Sequence, residues 1–122
     1  SNKADKVNQL KEMLALVDEA EKVLVDKQSD LDEFGRLLDH TWRIKRKTGN
    51  TVSTNSIDEL YDKGLKAGAL GGKLLGAGGG GFILFYCPKG IQENFRKKMS
   101  QFTEIDFRFD NYGSKIIYVG DR

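Results

Sequence analysis

Glycines concentrated between residues 64 and 81 are the strongest chemical signal in the sequence. Nine of the 14 glycines lie there, and they include a nearly unbroken run between two apolar segments. Consecutive glycines let the backbone turn with positive φ, bring several N–H groups toward one point and admit a ligand without hindrance from Cβ atoms. Phosphate suits that geometry. The predicted phosphate or substrate loop consists of Gly76, Ala77, Gly78, Gly79, Gly80 and Gly81.

Two better-known phosphate loops do not fit this run. A Walker A loop requires a Gly-Lys-Ser/Thr sequence at its end, and this run has none. A Rossmann or P-loop anion site requires a following helix, whereas Gly81 is followed by the β-rich segment Phe82–Cys87. A structural alternative stays open. The glycines could allow the loop to pass closely under a helix and bind nothing.

Four side chains are candidates for substrate binding. Lys73 precedes the glycines on a short strand, where its amine could face a transferring phosphate or point into water. Trp42 and Lys45 are three residues apart and share a helical face, so they could hold a sugar ring and its phosphate. Alternatively, Trp42 is a core residue and Lys45 a surface charge. Ser56 begins a helix as its N-cap and could also line a substrate cleft.

The remaining polar side chains are assigned structural roles. The single histidine, His40, and the single cysteine, Cys87, cannot form a Cys/His zinc cage, and one cysteine forbids an internal disulfide. The carboxylates of Asp58 and Glu59 are explained by the first turn of the helix that they begin. We expect Cys87 to be a buried, inert thiol. The sequence therefore yields no catalytic residue and no metal ligand.

Length and charge limit the classes of function. The 122 residues fit one domain, numbered 1–122, with residues 1–3 expected to be a tag scar or linker because no methionine opens the chain. Twenty Lys and Arg against 18 Asp and Glu leave a net charge of +2, which favours neither nucleic acid nor an anionic membrane as partner. With no apolar run of ~20 residues and one cysteine, we expect a soluble, cytoplasmic protein.

Hydrophobic periodicity predicts three helices followed by a mostly β region. The helices are expected near residues 5–26, 30–47 and 56–68, and a further helix near 91–101. Strands are expected on both sides of the glycines and over residues 105–109 and 115–119, with a turn at 110–113. This order predicts an α+β fold, ferredoxin-like, with helices packed on one face of a small antiparallel sheet. The first helix could pack within the domain or pair with another chain, giving a possible homodimer.

The glycine-rich segment also carries a family resemblance. The stretch Gly71–Phe82, which enters a strand after a short capped helix, resembles the third conserved motif of the GHMP kinases. Four further pieces resemble the heptose-7-phosphate and related sugar kinases of that superfamily, namely His40–Lys45, Ser56–Asp58, Tyr61 and Gly68–Lys73. The resemblance covers about residues 31–119. It implies a C-terminal kinase domain, whose helices against a small antiparallel sheet agree with the predicted fold.

What the resemblance implies about function can be stated directly. It implies an ATP- and Mg-dependent transfer of phosphate to a hydroxyl of a sugar or sugar phosphate, with residues 76–81 lining the cleft. The Pro-x-x-x-Gly-Leu-Gly-Ser-Ser type loop of the family's N-terminal domain is not found in this sequence. We therefore expect that domain to be a missing partner, and the isolated chain to be inactive and to require no cofactor. The alternative is a noncatalytic, ferredoxin-like domain that binds a small ligand or regulates.

Overall fold

Four helices and four strands make up the part of the chain that the computed structural model describes, residues 3–24, 28–48, 55–77, 80–88, 90–109 and 115–120. The helices are α1 (Lys3–Leu24), α2 (Gln28–Thr48), α3 (Asn55–Lys66) and α4 (Gln92–Lys98). The strands are β1 (Gly71–Ala77), β2 (Gly80–Tyr86), β3 (Glu104–Ile105) and β4 (Lys115–Val119). The predicted succession of three helices, a strand pair, a helix and two more strands is confirmed.

The strands form one antiparallel sheet in the order β1-β2-β4-β3. β1 and β2 pair along their whole lengths. On its other side, β2 pairs with β4 from Phe82↔Val119 to Tyr86↔Lys115, so β2 is a central strand. The side chains of β2 from Phe82 onward are apolar or aromatic on both faces, which is the composition of a strand covered on both sides. The predicted α+β class with a small antiparallel sheet is confirmed.

Helices cover both faces of the sheet, which corrects the expectation of helices on one face. On one face, Ile83 and Phe85 of β2 share a core cluster with residues of α3 and α4. On the other face, Phe82 and Leu84 share a second cluster with α1 and α2, through Leu10, Leu14 and Leu31. Successive side chains of a strand point to opposite faces, so a strand that is apolar at every position requires a covering layer on each side.

The ferredoxin-like part of the fold consists of α3, α4 and the sheet. α3 precedes β1, α4 connects β2 to the edge strand β3, and β4 returns to lie between β2 and β3. Both of these helices contribute to the same core cluster and therefore cover the same face, as the two helices of a split β-α-β arrangement do. Helix α1 and the earlier part of α2 add a further layer on the opposite face, whereas Trp42 of α2 belongs to the same cluster as α3 and α4.

Helix α2 lies very close to the edge strand β1. A Cβ added to Gly71 would lie 1.9 Å from the carbonyl oxygen of Gly35 in α2, and one added to Gly35 would lie 2.9 Å from the Cβ of Tyr86. Atoms in packed proteins do not approach so closely, so both positions require glycine. Close packing under a helix therefore explains why residue 71 is glycine. The sequence left the same explanation open for residues 76–81, a run that does not include Gly71.

The C-terminal elements are shorter than the sequence pattern predicts. The helix expected over residues 91–101 spans Gln92–Lys98, and the strand expected over residues 105–109 is only Glu104–Ile105. Phe107 and Phe109 lie beyond β3 with ring centroids 4.7 Å apart, and both pack on the α1 side of the sheet. Burial of the two rings accounts for the alternating pattern without a strand ladder. The turn predicted at 110–113 lies outside the described residues.

Helix α1 has an apolar side chain on its outer surface as well as on its inner one. Leu16 and Val23 are 72% and 82% exposed, and their spacing of seven residues places them on one side of the helix. Neither α1 nor any other helix in the described ranges is long and apolar enough to cross a membrane.

Candidate functional site

The glycine-rich segment forms the end of a β-hairpin rather than a six-residue loop. Gly76 pairs with Gly81, and Ala77 pairs with Gly80, so four of the residues from 76 to 81 belong to the β1–β2 ladder. The pairing holds these residues in an extended conformation, which glycine adopts without hindrance. We call residues 76–81 the glycine hairpin. Residues 78 and 79 lie outside the described residues.

The N-terminal turn of α3 packs against the same end of the sheet as the glycine hairpin. The N–H of Gly120, directly after β4, donates to the carbonyl oxygen of Gly81 at 2.8 Å. A Cβ added to Gly120 would lie 2.2 Å from Cδ1 of Ile57 in α3, which shows how closely that helix covers the end of β4. Ile57 and Gly120 are 63 positions apart in the sequence, so only the tertiary structure brings the start of α3 to this end of the sheet.

A pocket of about 330 Å³ opens at this junction. It lies between the start of α3, the segment after α4 and the residue after β4, and we call it the α3–β4 pocket. It is lined by Ser56, Glu59, Gln101, Phe102 and Gly120. Ser56, Glu59 and Gln101 are exposed, whereas Phe102 is half-buried and packs on the core cluster under α3. The pocket thus combines polar side chains with one aromatic ring that the core holds.

Ser56 lies in the pocket but not at the predicted capping position. Helix α3 begins at Asn55, one residue earlier, so Ser56 belongs to the first turn of the helix. Its side chain is exposed and lines the pocket. The prediction that Ser56 could line a cleft near the glycines is consistent with this position, and its role in binding stays a prediction.

Lys73 lies on the opposite side of the sheet from the pocket. It pairs with Leu84, and its neighbour two residues on, Leu75, is buried in the core cluster under α1 and α2. Residues two apart on a strand point to the same face, so the Lys73 side chain leaves the sheet on the α1 side. Its side chain is exposed. The structure therefore does not bring Lys73 together with Ser56.

Trp42 is a core residue in this structure. Its side chain is 9% exposed, and its indole stacks on the ring of Tyr61 in α3 with centroids 4.1 Å apart and planes 5° apart. Tyr61 in turn packs on the ring of Phe85 in β2. Phe85 is four residues from Gly81, a distance of roughly 13 Å along the strand. Of the two alternatives for Trp42, its burial favours the core residue over a platform for a sugar ring.

A polar network fixes Tyr61 beneath α2. The Tyr61 hydroxyl donates to Oδ1 of Asp39 at 2.7 Å, and Nε of Arg43 donates to Oδ2 of the same carboxylate at 2.8 Å. Burial raises the pKa of Tyr61 above its ordinary value, and the hydrogen bond to Asp39 raises it further. The pKa of Arg43 is also raised, chiefly by its hydrogen bond to Asp39. The phenol therefore stays a neutral donor at physiological pH and joins α2 to α3.

Lys45 is exposed in the last turn of α2. An Arg46 nitrogen lies 3.8 Å from Oδ1 of Asp58, and another lies 3.0 Å from Oδ1 of Asp62, both in α3. These ion pairs join the last turn of α2 to the helix that lines the pocket. The contact of Lys45 with substrate stays a prediction.

Sequence reasoning missed a buried ionic cluster between α1 and the sheet. Lys115 at the start of β4 donates to Oδ1 of Asp18 at 3.2 Å and to Oε1 of Glu21, and Tyr86 donates to the other oxygen of Glu21. The ring of Phe109 lies 4.5 Å from the Lys115 ammonium. Burial raises the pKa of Tyr86 above its ordinary value, and the charge of Glu21 raises it further. The cluster therefore attaches α1 to the sheet through satisfied charges.

A signal for this cluster is present in the sequence. Asp18 and Glu21 continue the spacing of Leu10 and Leu14, so they occupy the inner stripe of α1. Carboxylates at buried positions require a cation, and Lys115 opens an otherwise apolar strand. The partner of the two carboxylates could not be identified from these positions alone.

The sequence assigns structural roles to His40 and Cys87. His40 is exposed on α2. Cys87 is buried, and burial raises the pKa of its thiol to about 12, which favours an inert thiol. Within the described residues, no group of three or more His, Cys, Asp or Glu side chains is placed to hold a metal ion.

Three pocket residues, Gln101, Phe102 and Gly120, had no signal in the sequence because the pocket forms only when three distant segments meet.

Comparison with protein-family models matches residues 10–105 to the family described as GHMP kinases C terminal. The match begins within α1 and ends at β3, so it contains the glycine hairpin and most of the helices that surround it.

Several curated relatives are kinases. The D-glycero-alpha-D-manno-heptose 7-phosphate kinase of Campylobacter jejuni is 30% identical over 90 residues, covering 72% of this chain and 26% of that protein. The mevalonate kinase of Pyrococcus abyssi is 37% identical over 82 residues, 65% of this chain and 24% of that protein. The bifunctional fucokinase/GDP-fucose pyrophosphorylase of Arabidopsis thaliana is 24% identical over 107 residues, 87% of this chain and 10% of that protein. The chain thus spans about a quarter of the first two relatives. No solved structure gives a significant match.

Proposed function

The chain belongs to the family of GHMP kinase C-terminal domains, and we propose that it forms the substrate side of the cleft in a kinase that phosphorylates a hydroxyl of a sugar or sugar phosphate. ATP and Mg²⁺ would be bound chiefly by a separate nucleotide-binding domain, because the phosphate loop that the family carries in its N-terminal domain is not found in these 122 residues. The named kinase relatives support this proposal over a noncatalytic ligand-binding domain.

The observation that carries the proposal is the position of the glycine hairpin. The paired glycines Gly76 and Gly81 present no side chain on either strand, and the hydrogen bond from Gly120 to Gly81 ties this end of the sheet to the pocket under α3. A backbone without Cβ atoms admits a phosphate group closely. The hairpin and the α3–β4 pocket therefore offer adjoining surfaces for the phosphate and for the acceptor molecule.

The chemistry explains why such a surface is useful. The transferring phosphoryl group passes through a loose, highly charged transition state, which is stabilised mainly by positioned donors and by exact placement of the acceptor. In this proposal the chain's own part is placement. The hairpin backbone lines the cleft, and side chains around the start of α3 orient the acceptor hydroxyl.

The experiment uses a kinase in which this chain is joined to its nucleotide-binding domain. Gly76→Val adds a branched side chain at an exposed strand position, where valine is well tolerated, so we expect a small change in Tm. We expect kcat/KM to fall by about 100-fold or more, because the side chain obstructs the approach of phosphate. Gly90 lies four residues after the opposite end of β2, and no atom is within 4 Å of a Cβ added to it. Gly90→Ala is therefore the control that should keep normal kinetics.

Two results would contradict the proposal. Normal kcat/KM in a folded Gly76→Val variant would show that the hairpin does not line the cleft. ATP-dependent phosphorylation of a sugar by the 122-residue chain alone would show that no second domain is needed.

A further inference from the structure

Helix α1 is inverted in its C-terminal half, with charged side chains toward the sheet and apolar ones toward solvent. Asp18 and Glu21 are buried against the sheet, where they bond to Lys115. Leu16 and Val23, in the same part of the helix, are 72% and 82% exposed. A helix that packs on a single core has the opposite arrangement. The outward apolar side chains therefore serve something other than the core of this domain.

Helix α2 has a second pair of exposed apolar side chains with the same spacing. Leu37 and Ile44 are 58% and 49% exposed and seven residues apart, so they share one side of the helix. Three residues separate Leu24 from Gln28, and a connection of that length makes consecutive helices antiparallel neighbours. Leu16 is eight residues before Leu24 and Leu37 is nine residues after Gln28, so the two leucines lie at the same level.

The two apolar pairs face the seam between the helices. Residues two positions apart on a helix point in nearly opposite directions, because each position turns by about 100°. Asp18, two positions after Leu16, bonds to Lys115 on the β4 side. Asp39, two positions after Leu37, bonds to α3 beside the edge strand β1. Since β1 and β4 lie on opposite sides of β2, both leucines turn toward the neighbouring helix.

We call this surface the α1–α2 patch. It consists of five exposed apolar side chains along the seam, Leu16, Ala20, Val23, Leu37 and Ile44. Single exposed apolar residues are ordinary, but a contiguous group on two adjacent helices is typical of an interaction surface.

The charges beside the patch are balanced. Nζ of Lys22 lies 3.5 Å from Oε1 of Glu19 next to the α1 stripe, and Nη1 of Arg36 lies 3.0 Å from Oε1 of Glu33 next to the α2 stripe. Each pair contributes no net charge. A strongly charged partner would need the opposite charge on this surface, whereas a second copy brings the same apolar stripe and the same balanced pairs.

The patch also lies away from the glycine hairpin. Glu21, between Ala20 and Val23, bonds to Tyr86 and to Lys115, which pair with each other at the end of the sheet opposite Gly81. Tyr86 is five residues from Gly81, roughly 17 Å along β2. In the proposed kinase the nucleotide-binding domain completes the cleft at the hairpin, so it leaves the patch uncovered.

We propose that the α1–α2 patch binds a second copy of this chain, so that α1 and α2 of two copies form a four-helix layer about a two-fold axis. The inference rests on the proposed function only for the place of the nucleotide-binding domain. A two-fold axis brings identical surfaces together, and an apolar stripe with balanced charges beside it is complementary to itself. Because the patch is small, the dimer is weak, with a Kd on the order of 10–100 µM.

The test is sedimentation equilibrium of the 122-residue chain at concentrations from about one-tenth of the expected Kd to about ten times that value. We expect a reversible monomer–dimer equilibrium. Leu16→Glu places a charge in the interface, so it should raise the Kd at least about tenfold, while the exposure of Leu16 leaves the fold and its Tm nearly unchanged. Asn94→Glu adds the same charge at an exposed position of α4 and is the matched control, expected to dimerise normally.

A second variant and a second measurement locate the interface. Leu37→Glu should weaken the dimer as Leu16→Glu does, because each copy supplies both stripes. When the ¹⁵N-labelled chain is diluted, we expect the amide shifts that change to be those of the exposed sides of α1 and α2. The readout is independent of catalysis, so the kinetics of Gly76→Val can fail without changing it.

Three outcomes would overturn the inference. One is a chain that stays monomeric over the whole concentration range. Another is a dimer that neither Leu16→Glu nor Leu37→Glu weakens, which would place the interface elsewhere. The third is a monomer that binds vesicles of phosphatidylcholine and phosphatidylglycerol and loses this binding in Leu16→Glu, which would assign the patch to a lipid surface.

Discussion

The indole of Trp42 lies flat against the phenol of Tyr61, with ring centroids 4.1 Å apart and planes 5° apart. The contact joins α2 to α3, and the Tyr61 hydroxyl strengthens the same junction through its hydrogen bond to Asp39. Nε1 of Trp42 is buried and has no hydrogen-bond partner among the described residues. The stacked pair therefore serves packing, at the expense of one unsatisfied N–H group.

We expect Trp42→Leu to destabilise the chain by about 2–4 kcal/mol, because it removes the stacked ring and leaves space in the core. Trp42→Phe keeps a ring and removes the unsatisfied N–H, so it should destabilise by at least about 1 kcal/mol less. Urea unfolding of the three proteins measures both effects. If both variants keep full stability and instead weaken sugar binding, Trp42 is a binding platform and not a core residue.

Lys45 gives a test of the remaining substrate prediction. In the two-domain kinase, Lys45→Met keeps the apolar stem and removes the charge, so a lost contact to the phosphate of a sugar phosphate lowers kcat/KM roughly ten- to 100-fold. The KM for ATP should change little, and an unphosphorylated sugar should be affected less. If Lys45→Met has the same kcat/KM as the unmodified enzyme for each of the two sugars, Lys45 is a surface charge that does not contact the substrate.

Gly71 tests the close approach of α2 to the sheet. Gly71→Ala places a Cβ 1.9 Å from the carbonyl oxygen of Gly35, and because the obstructing atom belongs to a backbone, we expect a loss of about 3 kcal/mol or more. Gly90→Ala is the matched comparison. Gly90 has a φ of +98° and open space around it, so only backbone strain of about 1–2 kcal/mol is expected there. Equal losses in urea unfolding would mean that α2 does not pack against β1 as described.

The buried ionic cluster predicts a large effect of a single charge. Lys115→Met leaves Asp18 and Glu21 buried without the ammonium that they share, and we expect a loss of about 3–5 kcal/mol in the free energy of unfolding. Lys97→Met, which removes an exposed lysine 4.0 Å from Glu93, should change stability by less than about 0.5 kcal/mol. A similar small change for both variants would show that α1 is not attached through Lys115.

Stability should fall in alkaline solution. Burial raises the pKa of Tyr118 and of Cys87 to about 12, from ordinary values of 10.0 and 9.0, and raises the pKa of Tyr61 and Tyr86 as well. All four groups bind their protons more tightly in the folded state than in the unfolded state. Their stabilising contribution is therefore complete below about pH 9, and it is lost as the pH rises through the pKa values of the folded state. Each proton released on unfolding lowers the free energy of unfolding by about 1.4 kcal/mol per pH unit.

Urea unfolding across this alkaline range measures the loss, and Tyr118→Phe, which removes one of the four groups, should make the pH dependence less steep. A free energy of unfolding that stays constant from about pH 8 to about pH 11 would contradict the burial of these groups.

The sequence alone determined the α+β class, the succession of the elements and the kinase family. Helical spacing and apolar runs are local properties, and the glycine-rich stretch from Gly71 to Phe82 is a continuous motif, so each could be recognised without knowledge of distant contacts. The resemblance to the GHMP kinases that this motif carried is confirmed by the family match.

Only the tertiary structure decided which residues meet. Lys115 contacts Asp18 across 97 positions of sequence, and the α3–β4 pocket forms from segments near residues 56, 101 and 120. Burial of Trp42 and the placement of helices on both faces depend likewise on how the sheet packs as a whole. Periodicity specifies that a face is buried, but which element covers it is set by packing between elements far apart in the chain.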